Sequence, residues 1–180
     1  MTSEPTPVDS ALALARACAA AMWAEDQASR RLGMELLSVG PGRSTLTMTV
    51  RQDMVNGHGS CHGGFLATLA DSAFAFACNT YDDVTVAAGF DITFVAPARL
   101  GDVVLADAVE RARFGRSGLY DVTISCLRGA DRTIIAEFRG RSRSLHRPHL
   151  PSGRTDTPDN AAATPSNLDQ TSRFVDRSAP

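Results

Sequence analysis

The sequence has no lysine, so all 18 of its basic residues are arginine. Acidic residues number 20, which gives a formal net charge of -2 and none of the basic excess that nucleic-acid-binding domains carry. Arginine binds phosphate through two parallel hydrogen bonds, but the preference for arginine is only a weak indication of a phosphorylated ligand. We therefore expect no nucleic-acid partner.

Cysteine is also scarce, and its spacing is uninformative. The four cysteines form no CxxC pair, which favours neither a disulfide framework nor a zinc ribbon, and free thiols fit a reducing cytosol. No apolar run reaches the roughly 20 residues that span a bilayer, and no basic segment precedes the first apolar run. We expect a cytoplasmic protein with no signal peptide, no membrane contact, no metal and no cofactor.

Composition divides the chain into a flexible N-terminus at 1–9, a folded domain at 10–145 and a disordered tail at 146–180. The predicted tail holds five of the nine prolines and few large apolar residues. The length of the remaining segment suits one domain with a sizeable core.

The hydrophobic period changes along the folded domain. Apolar residues at spacings of three and four predict an N-terminal helix, capped by Asp9 or Ser10 and ended by Gly33. Alternation over 34–50 then predicts a hairpin, and later alternating runs joined by short turns predict further antiparallel strands. Those runs cover 89–97, 102–114, 119–127 and 132–144, with an RGAD turn at 128–131 between the last two.

Residues 63–79 differ from the segments around them. Small and bulky apolar residues surround this predicted helix on nearly all sides, and a single carboxylate, Asp71, interrupts them. One buried helix with about six antiparallel strands predicts an α+β fold, in which a curled sheet wraps around the central helix.

Two features of this helix are candidates for chemistry. Burial of Asp71 would raise its pKa and mark it as a functional group, although an aspartate that points to solvent or caps a loop remains the alternative. Gly63 and Gly64 open the helix, where free N–H groups and the helix dipole can stabilise a developing oxyanion. A tight turn before the helix would explain the glycines equally well.

The spacing of Gly63 and Asp71 has a structural consequence. They are eight residues apart in the sequence, which separates their backbones by about 12 Å along the helix axis. One reacting carbonyl must lie within about 3.5 Å of both groups, and an aspartate side chain does not bridge that gap. If both serve one reaction, they come from different subunits of a two-fold dimer with two equivalent sites.

The run NGHGSCHGG at 56–64, followed by LADSAFAFACN at 69–79, resembles the hotdog-fold acyl-CoA thioesterases of the phenylacetic acid degradation (PaaI) type. The likeness extends over about 20–145 and includes the segments AMWAED, LGMELLSV, APARLGD and GLYDVTI. It implies a hotdog fold, an acyl-CoA substrate, and a homotetramer built from dimers with shared active sites.

The resemblance also implies residue roles. Asp71 would either attack the thioester or activate water, and the sequence does not choose between the two routes. The Gly63 N–H would polarise the thioester carbonyl, with Asn56 and His62 arranging the loop. The loop at 112–118 corresponds to coenzyme contacts in the family. Its candidates for the CoA phosphates are Arg113, Gly115 and Arg116, and Arg143 is a further candidate.

His58, Cys61 and His62 allow other interpretations. Adjacent residues of an extended loop point apart, which disfavours a Cys–His nucleophile pair, and a zinc site lacks an evident fourth ligand. We expect His58 to be structural and His62 to position substrate or water.

The sequence does not identify the acyl group of the substrate. A pocket lined by Phe65, Leu66, Phe74 and Phe90 would accept a phenylacetyl group, its ring-hydroxylated form or a medium acyl chain. A hydratase is disfavoured because DSAFAFAC has no histidine after the aspartate. A non-catalytic acyl-CoA sensor remains the alternative from a different class.

Overall fold

The computed structural model of the protein describes residues 6–128 and 131–151. Within these ranges the chain forms three α-helices, one short 3-10 helix and a six-stranded sheet. The helices are α1 (Pro7–Glu25), α2 (Gln27–Arg31) and α3 (Gly63–Cys78), with the 3-10 helix at Gln52–Met54. The strands are β1 (Met34–Gly40), β2 (Arg43–Thr49), β3 (Thr85–Phe94), β4 (Val103–Phe114), β5 (Ser117–Arg128) and β6 (Asp131–Ser144).

The sheet has the order β1-β2-β4-β5-β6-β3, and each neighbouring pair is antiparallel. Its inner face packs against α3, which contacts every strand. The predicted α+β architecture, an antiparallel sheet wrapped around a central helix, is therefore confirmed. The order leaves β1 and β3 at the two edges, although β3 precedes β4 in the chain.

The core lies between α3 and the inner face of the sheet. Phe74 is fully buried there, with its ring centroid 5.4 Å from that of Tyr120 and 5.9 Å from that of Phe138. Alternation along the strands supplies the facing residues, because every second side chain points inward. The largest buried strand residues include Leu46, Met48, Val104, Ile124 and Ile135.

One side of α3 is not covered by the sheet. Gly63, Ala67, Asp71 and Ala75 follow each other at intervals of four, and all four are only partly buried. We call these four residues the outward row. Residues four apart lie on one face of a helix, so the row is a continuous strip of small side chains with one carboxylate in it.

The predicted N-terminal helix differs from its prediction at its start and in its middle, whereas it ends at Arg31, just before the predicted stop at Gly33. It begins at Pro7, and Thr6 caps it, because Asp9 lies at the third helical position and closes a reciprocal capping box with Thr6. A break at Asp26 divides the predicted helix, since the Asp26 carboxylate accepts the Ser29 N–H at 2.9 Å and starts α2.

The start of β3 and the chain after β6 also differ from expectation. β3 begins at Thr85, ahead of the predicted 89–97 run. The first residues of the predicted tail lie against the loop before β3: the Val84 N–H donates to the Arg147 carbonyl at 2.7 Å, and the Leu150 N–H donates to Asp82 Oδ1 at 2.9 Å. Residues 1–5 and 152–180, and residues 129–130 of the predicted RGAD turn, lie outside the described residues.

None of the helices found in 6–128 and 131–151 combines the length and the apolar character needed to cross a membrane.

Candidate active site

The loop that leads into α3 is organised by Asn56. Its Oδ1 atom accepts hydrogen bonds from the His58 N–H at 2.9 Å and from the N–H and hydroxyl of Ser60, both at 3.3 Å. The Asn56 N–H donates in turn to the Ser60 carbonyl at 2.8 Å, and a bridge joins Val55 to Cys61. These bonds close the loop on itself and fix the direction from which the chain enters α3.

His62 is the N-cap of α3. Its Nδ1 atom accepts a hydrogen bond from the Gly64 N–H at 3.1 Å, and its own N–H donates to the Met54 carbonyl at 2.8 Å. The Gly63 N–H donates to none of the residues in the described ranges. Gly63 therefore presents a free donor at the positive end of the helix dipole.

Phe94, the last residue of β3, lies directly against Gly63. A Cβ atom added to Gly63 would lie 2.8 Å from Phe94 Cζ, so a larger residue would displace the ring. Both residues line a groove of about 460 Å³ beside the start of α3. Its other lining residues are Ser60, Cys61, Leu66, Val95, Ala96, Pro97 and Ala98.

Asp71 lies in the middle of α3, on the outward row. Its side chain is partly buried, and within 6–128 and 131–151 no hydrogen bond or ion pair reaches its carboxylate. Burial raises the pKa of Asp71 above its ordinary value, as its apolar surroundings predict. The group is thus a carboxylate without a structural partner, on a face of the helix open to another molecule.

Gly63 and Asp71 share one helix face but do not share one site within the chain. The eight residues between their positions correspond to about 12 Å along the axis of α3, as the sequence predicts. A single subunit therefore does not place the free N–H and the carboxylate at the same reacting carbonyl.

Three of the predicted coenzyme residues lie together. Arg113, Gly115 and Arg116 line a small, partly open cavity of about 90 Å³ beside the tip of the β4–β5 hairpin. The Arg113 guanidinium stacks 3.7 Å above the centre of the Tyr81 ring, and Arg116 Nε donates to the Ser144 carbonyl at 3.0 Å. The hairpin therefore holds two arginines in defined positions.

The same cavity holds one acidic group. Ser144 donates its hydroxyl to Asp83 Oδ2 at 2.5 Å. The other oxygen of that carboxylate, Oδ1, is buried without a partner among the residues described. An unpaired buried oxygen of this kind is ordinarily satisfied by water or by a ligand donor.

Arg143 does not join this cavity. Ser142 and Ser144 are buried on the inner face of the sheet, so the exposed Arg143 between them points to the outer face. There it lines a groove with Arg141 and Phe114. The fourth predicted coenzyme residue is therefore separated from the other three by the sheet.

The residues predicted to line an acyl pocket are dispersed. Phe74 belongs to the core and is inaccessible, so its assignment to a pocket was wrong. Phe65 lies in a shallow groove with His62 and Gly64, whereas Leu66 lines the groove with Gly63. Phe90 stacks on Phe138, with ring centroids 4.7 Å apart.

Phe94 was not among the site residues predicted from the sequence. A signal for it was present, because alternation along β3 puts Phe90, Ile92 and Phe94 on the same face of the strand. The sequence gives no indication that the end of this strand meets the start of α3.

The cysteine and histidines of the loop do not form a nucleophile pair. Cys61 is buried, which raises the pKa of its thiol and disfavours the thiolate, and its sulfur lies 3.7 Å from the His62 carbonyl. The His58 N–H is engaged by Asn56. These contacts fit the predicted structural role of His58.

The sheet order, with α3 packed on the inner face of the sheet, defines the hotdog class of folds. Similarity to known proteins places the chain in this class. Residues 58–131 match the thioesterase superfamily. The chain is also 39% identical over 125 residues to the acyl-coenzyme A thioesterase PaaI of Escherichia coli strain K12, a match that covers 69% of this chain and 87% of that protein. The chain belongs to the thioesterase superfamily.

Solved structures agree with this assignment. The E. coli PaaI protein from the phenylacetic acid degradation operon superposes with a TM-score of 0.72 at 38% identity, covering 76% of this chain and 96% of that one. A mutant of phenylacetic acid degradation protein PaaI from Thermus thermophilus gives a TM-score of 0.63 at 35% identity, over 67% of this chain and 100% of that one.

Proposed function

We propose that the protein hydrolyses acyl-CoA thioesters, with Asp71 and the Gly63 N–H as its catalytic groups. The observation that carries the proposal is the unpartnered, half-buried Asp71 carboxylate on the same helix face as the free Gly63 N–H. The similarity to an acyl-coenzyme A thioesterase supports the reaction class.

The proposed active unit is a dimer that shares its sites. β3 supports it, because a ten-residue edge strand with exposed Val86, Phe90 and Phe94 leaves backbone groups free to pair with a second copy. Such pairing sets two α3 helices side by side and antiparallel. Gly63 of one copy then meets the partner's Asp71.

The outward row suits this arrangement. With Gly63 opposite the partner's Asp71, the two-fold axis passes midway between these positions, at Ala67. Its small side chain allows two helices to approach closely. We further propose that dimers pair into the homotetramer that the family resemblance implies.

The chemistry follows from the two groups. A thioester carbonyl that accepts the Gly63 N–H becomes more electrophilic, and a donor of this kind commonly contributes about 3–4 kcal/mol in the transition state. Asp71 of the other subunit either activates water, or attacks to give an anhydride that water then cleaves. In both routes one water molecule is consumed, and the carboxylic acid and free CoA thiol are released. His62 and Asn56 hold the donor loop in place.

We propose that the CoA phosphates bind at the β4–β5 hairpin. Arg113, Gly115 and Arg116 supply two cations and an exposed backbone turn there, and guanidinium groups bind phosphate strongly. We assign Arg143 no contact, because it lies on the opposite face of the sheet. No resident cofactor or metal is part of the proposal.

The acyl group that we propose is aromatic, phenylacetyl or hydroxyphenylacetyl, because the relatives named above are phenylacetic acid degradation proteins. Medium-chain acyl groups are the alternative. The proposed location is the cytoplasm, which the four free, buried cysteines support.

The experiment that tests the function is thiol release from a panel of aryl and aliphatic CoA esters. Wild type should cleave aryl esters, and Asp71→Asn should lose about 10²–10⁴-fold in rate while still binding CoA. Asp53→Asn is the matched control, because within 6–128 and 131–151 this exposed carboxylate pairs with Arg51 alone, at 3.1 Å. Near-normal turnover by Asp71→Asn contradicts the role of Asp71. Tight CoA binding without hydrolysis of any ester would instead favour a sensor.

A further inference from the structure

Phe94 is an aromatic residue at the proposed site that has no role in the chemistry described above. Its side chain is 49% exposed even though the ring lies against Gly63. Its backbone is held firmly, because it pairs with Ala136 of β6 and the next N–H, from Val95, donates to the Ile135 carbonyl at 2.9 Å. The strand therefore places an apolar ring beside the Gly63 N–H.

The path of β3 explains this placement. β3 runs back alongside α3: the Thr85 N–H donates to Asn79 Oδ1 at 2.7 Å just beyond one end of the helix, and Phe94 meets Gly63 at the other. The four-residue step from Phe94 back to Phe90 spans about 13 Å of strand, and the eight-residue step from Gly63 to Asp71 spans about 12 Å of helix. Phe90 is therefore level with Asp71, as Phe94 is level with Gly63.

Phe90 and Phe94 differ in how much of each ring is free to contact a ligand. One face of Phe90 is taken by Phe138, at a centroid distance of 4.7 Å. Among the residues described, Phe94 forms no aromatic pair, and it borders the groove together with Leu66 and Pro97. Of the two, Phe94 has the ring available to a ligand.

We propose that Phe94 selects the acyl group of the substrate, an inference that rests on the proposed function. A carbonyl oxygen bound at the Gly63 N–H lies within a few ångströms of the ring, so the adjoining acyl carbons pack on Phe94. Aromatic pairs gain beyond their buried area when rings stack offset or edge to face. Phe94 therefore favours a planar aryl group over an aliphatic chain of similar size.

The test compares kcat/KM for phenylacetyl-CoA with that for hexanoyl-CoA. Phe94→Leu should lower the aryl-to-aliphatic ratio about threefold to tenfold, the range expected for loss of one aromatic pair. Phe94→Met, which keeps volume without a ring, should lower it similarly and serves if the leucine variant is poorly folded. Leu37→Ala removes an apolar side chain from the opposite edge strand, β1, at a residue that is 53% exposed, and should leave the ratio unchanged.

The possible results distinguish a failure of the proposed Phe94 role from a failure of the proposed hydrolysis. An active wild type whose ratio is unchanged in both Phe94 variants, or is lowered equally in Leu37→Ala, overturns the role of Phe94 and leaves the proposed hydrolysis intact. A wild type that cleaves neither ester overturns both.

Discussion

Asp71 lies about two helical turns beyond Gly63 on the same outward row of α3. The relationship puts an N–H and a carboxylate, neither with a partner among the described residues, on one partly buried face, yet too far apart to act on one carbonyl. A second copy of the chain, related by a two-fold axis near Ala67, removes the conflict.

The role of the Gly63 N–H can be tested by removing it. Gly63→Pro deletes the donor at the first helical position, where proline is tolerated and where His62 already has the extended backbone that proline requires before it. We expect kcat to fall about 10²–10³-fold. Gly63→Ala keeps the N–H and shares the steric contact with Phe94, so it should retain more activity than the proline variant in steady-state assays. Equal losses in the two variants would assign the effect to packing.

The pH dependence of activity should report the ionisation of Asp71. The reaction needs the carboxylate, and burial raises the pKa of Asp71, so kcat/KM should increase with pH through a midpoint above the ordinary aspartate value of about 3.9. A rate profile from acid to neutral pH measures this. A rate that stays constant down to pH values near that ordinary range would show that Asp71 does not titrate as a catalytic group.

Asp71→Asn should make the protein more stable at neutral pH, whereas the same substitution of an aspartate in an ion pair would make it less stable. The raised pKa means that the folded protein disfavours the charged form, so ionised Asp71 destabilises wild type at neutral pH. Asparagine removes that charge. We expect the variant to unfold at a higher urea concentration than wild type at pH 7, with the difference shrinking as pH falls through the pKa of Asp71. A variant less stable at pH 7 would indicate a structural partner for the carboxylate.

Arginine substitutions on the two faces of the sheet should affect CoA binding differently. Arg116→Ala should raise KM for an acyl-CoA about tenfold or more without a matching change in kcat, since hydrogen bonds between charged groups contribute about 1.5–3 kcal/mol. Its KM for the corresponding acyl-pantetheine, which lacks the nucleotide, should not change. Arg143→Ala changes an arginine on the outer face, as the matched control, and should leave both KM values unaltered. A higher KM for the acyl-CoA in Arg143→Ala alone would indicate that the phosphates bind on the outer face.

Much of the fold was predictable because its signals are local. The strict alternation of Leu46, Met48 and Val50 predicted an inward-facing strand, and these residues are buried in the structure. The glycine-opened central helix begins at Gly63, as predicted. The N-terminal helix was less predictable, because the break depends on one side-chain hydrogen bond of Asp26 that the apolar spacing does not show.

The side-chain groupings at the site were harder to predict. An apolar helix gives no indication of which side meets the sheet, so Phe74 was assigned to a pocket although it belongs to the core. A bulge in β4 between Glu110 and Ala112 reverses the alternation and turns Arg113 to the inner face, whereas Arg143 stays on the outer one. Such register shifts have no clear sequence pattern.

The central claim is that each site takes Gly63 from one subunit and Asp71 from the other. The most direct measurement is the turnover of heterodimers purified from co-expression of differently tagged Asp71→Asn and Gly63→Pro chains. One of the two sites in such a dimer has both native groups, so we predict about half of the wild-type rate per dimer, from two variants that are each nearly inactive alone. If both groups act within one subunit, every site in the heterodimer is defective, and turnover no higher than that of the separate variants would contradict the account.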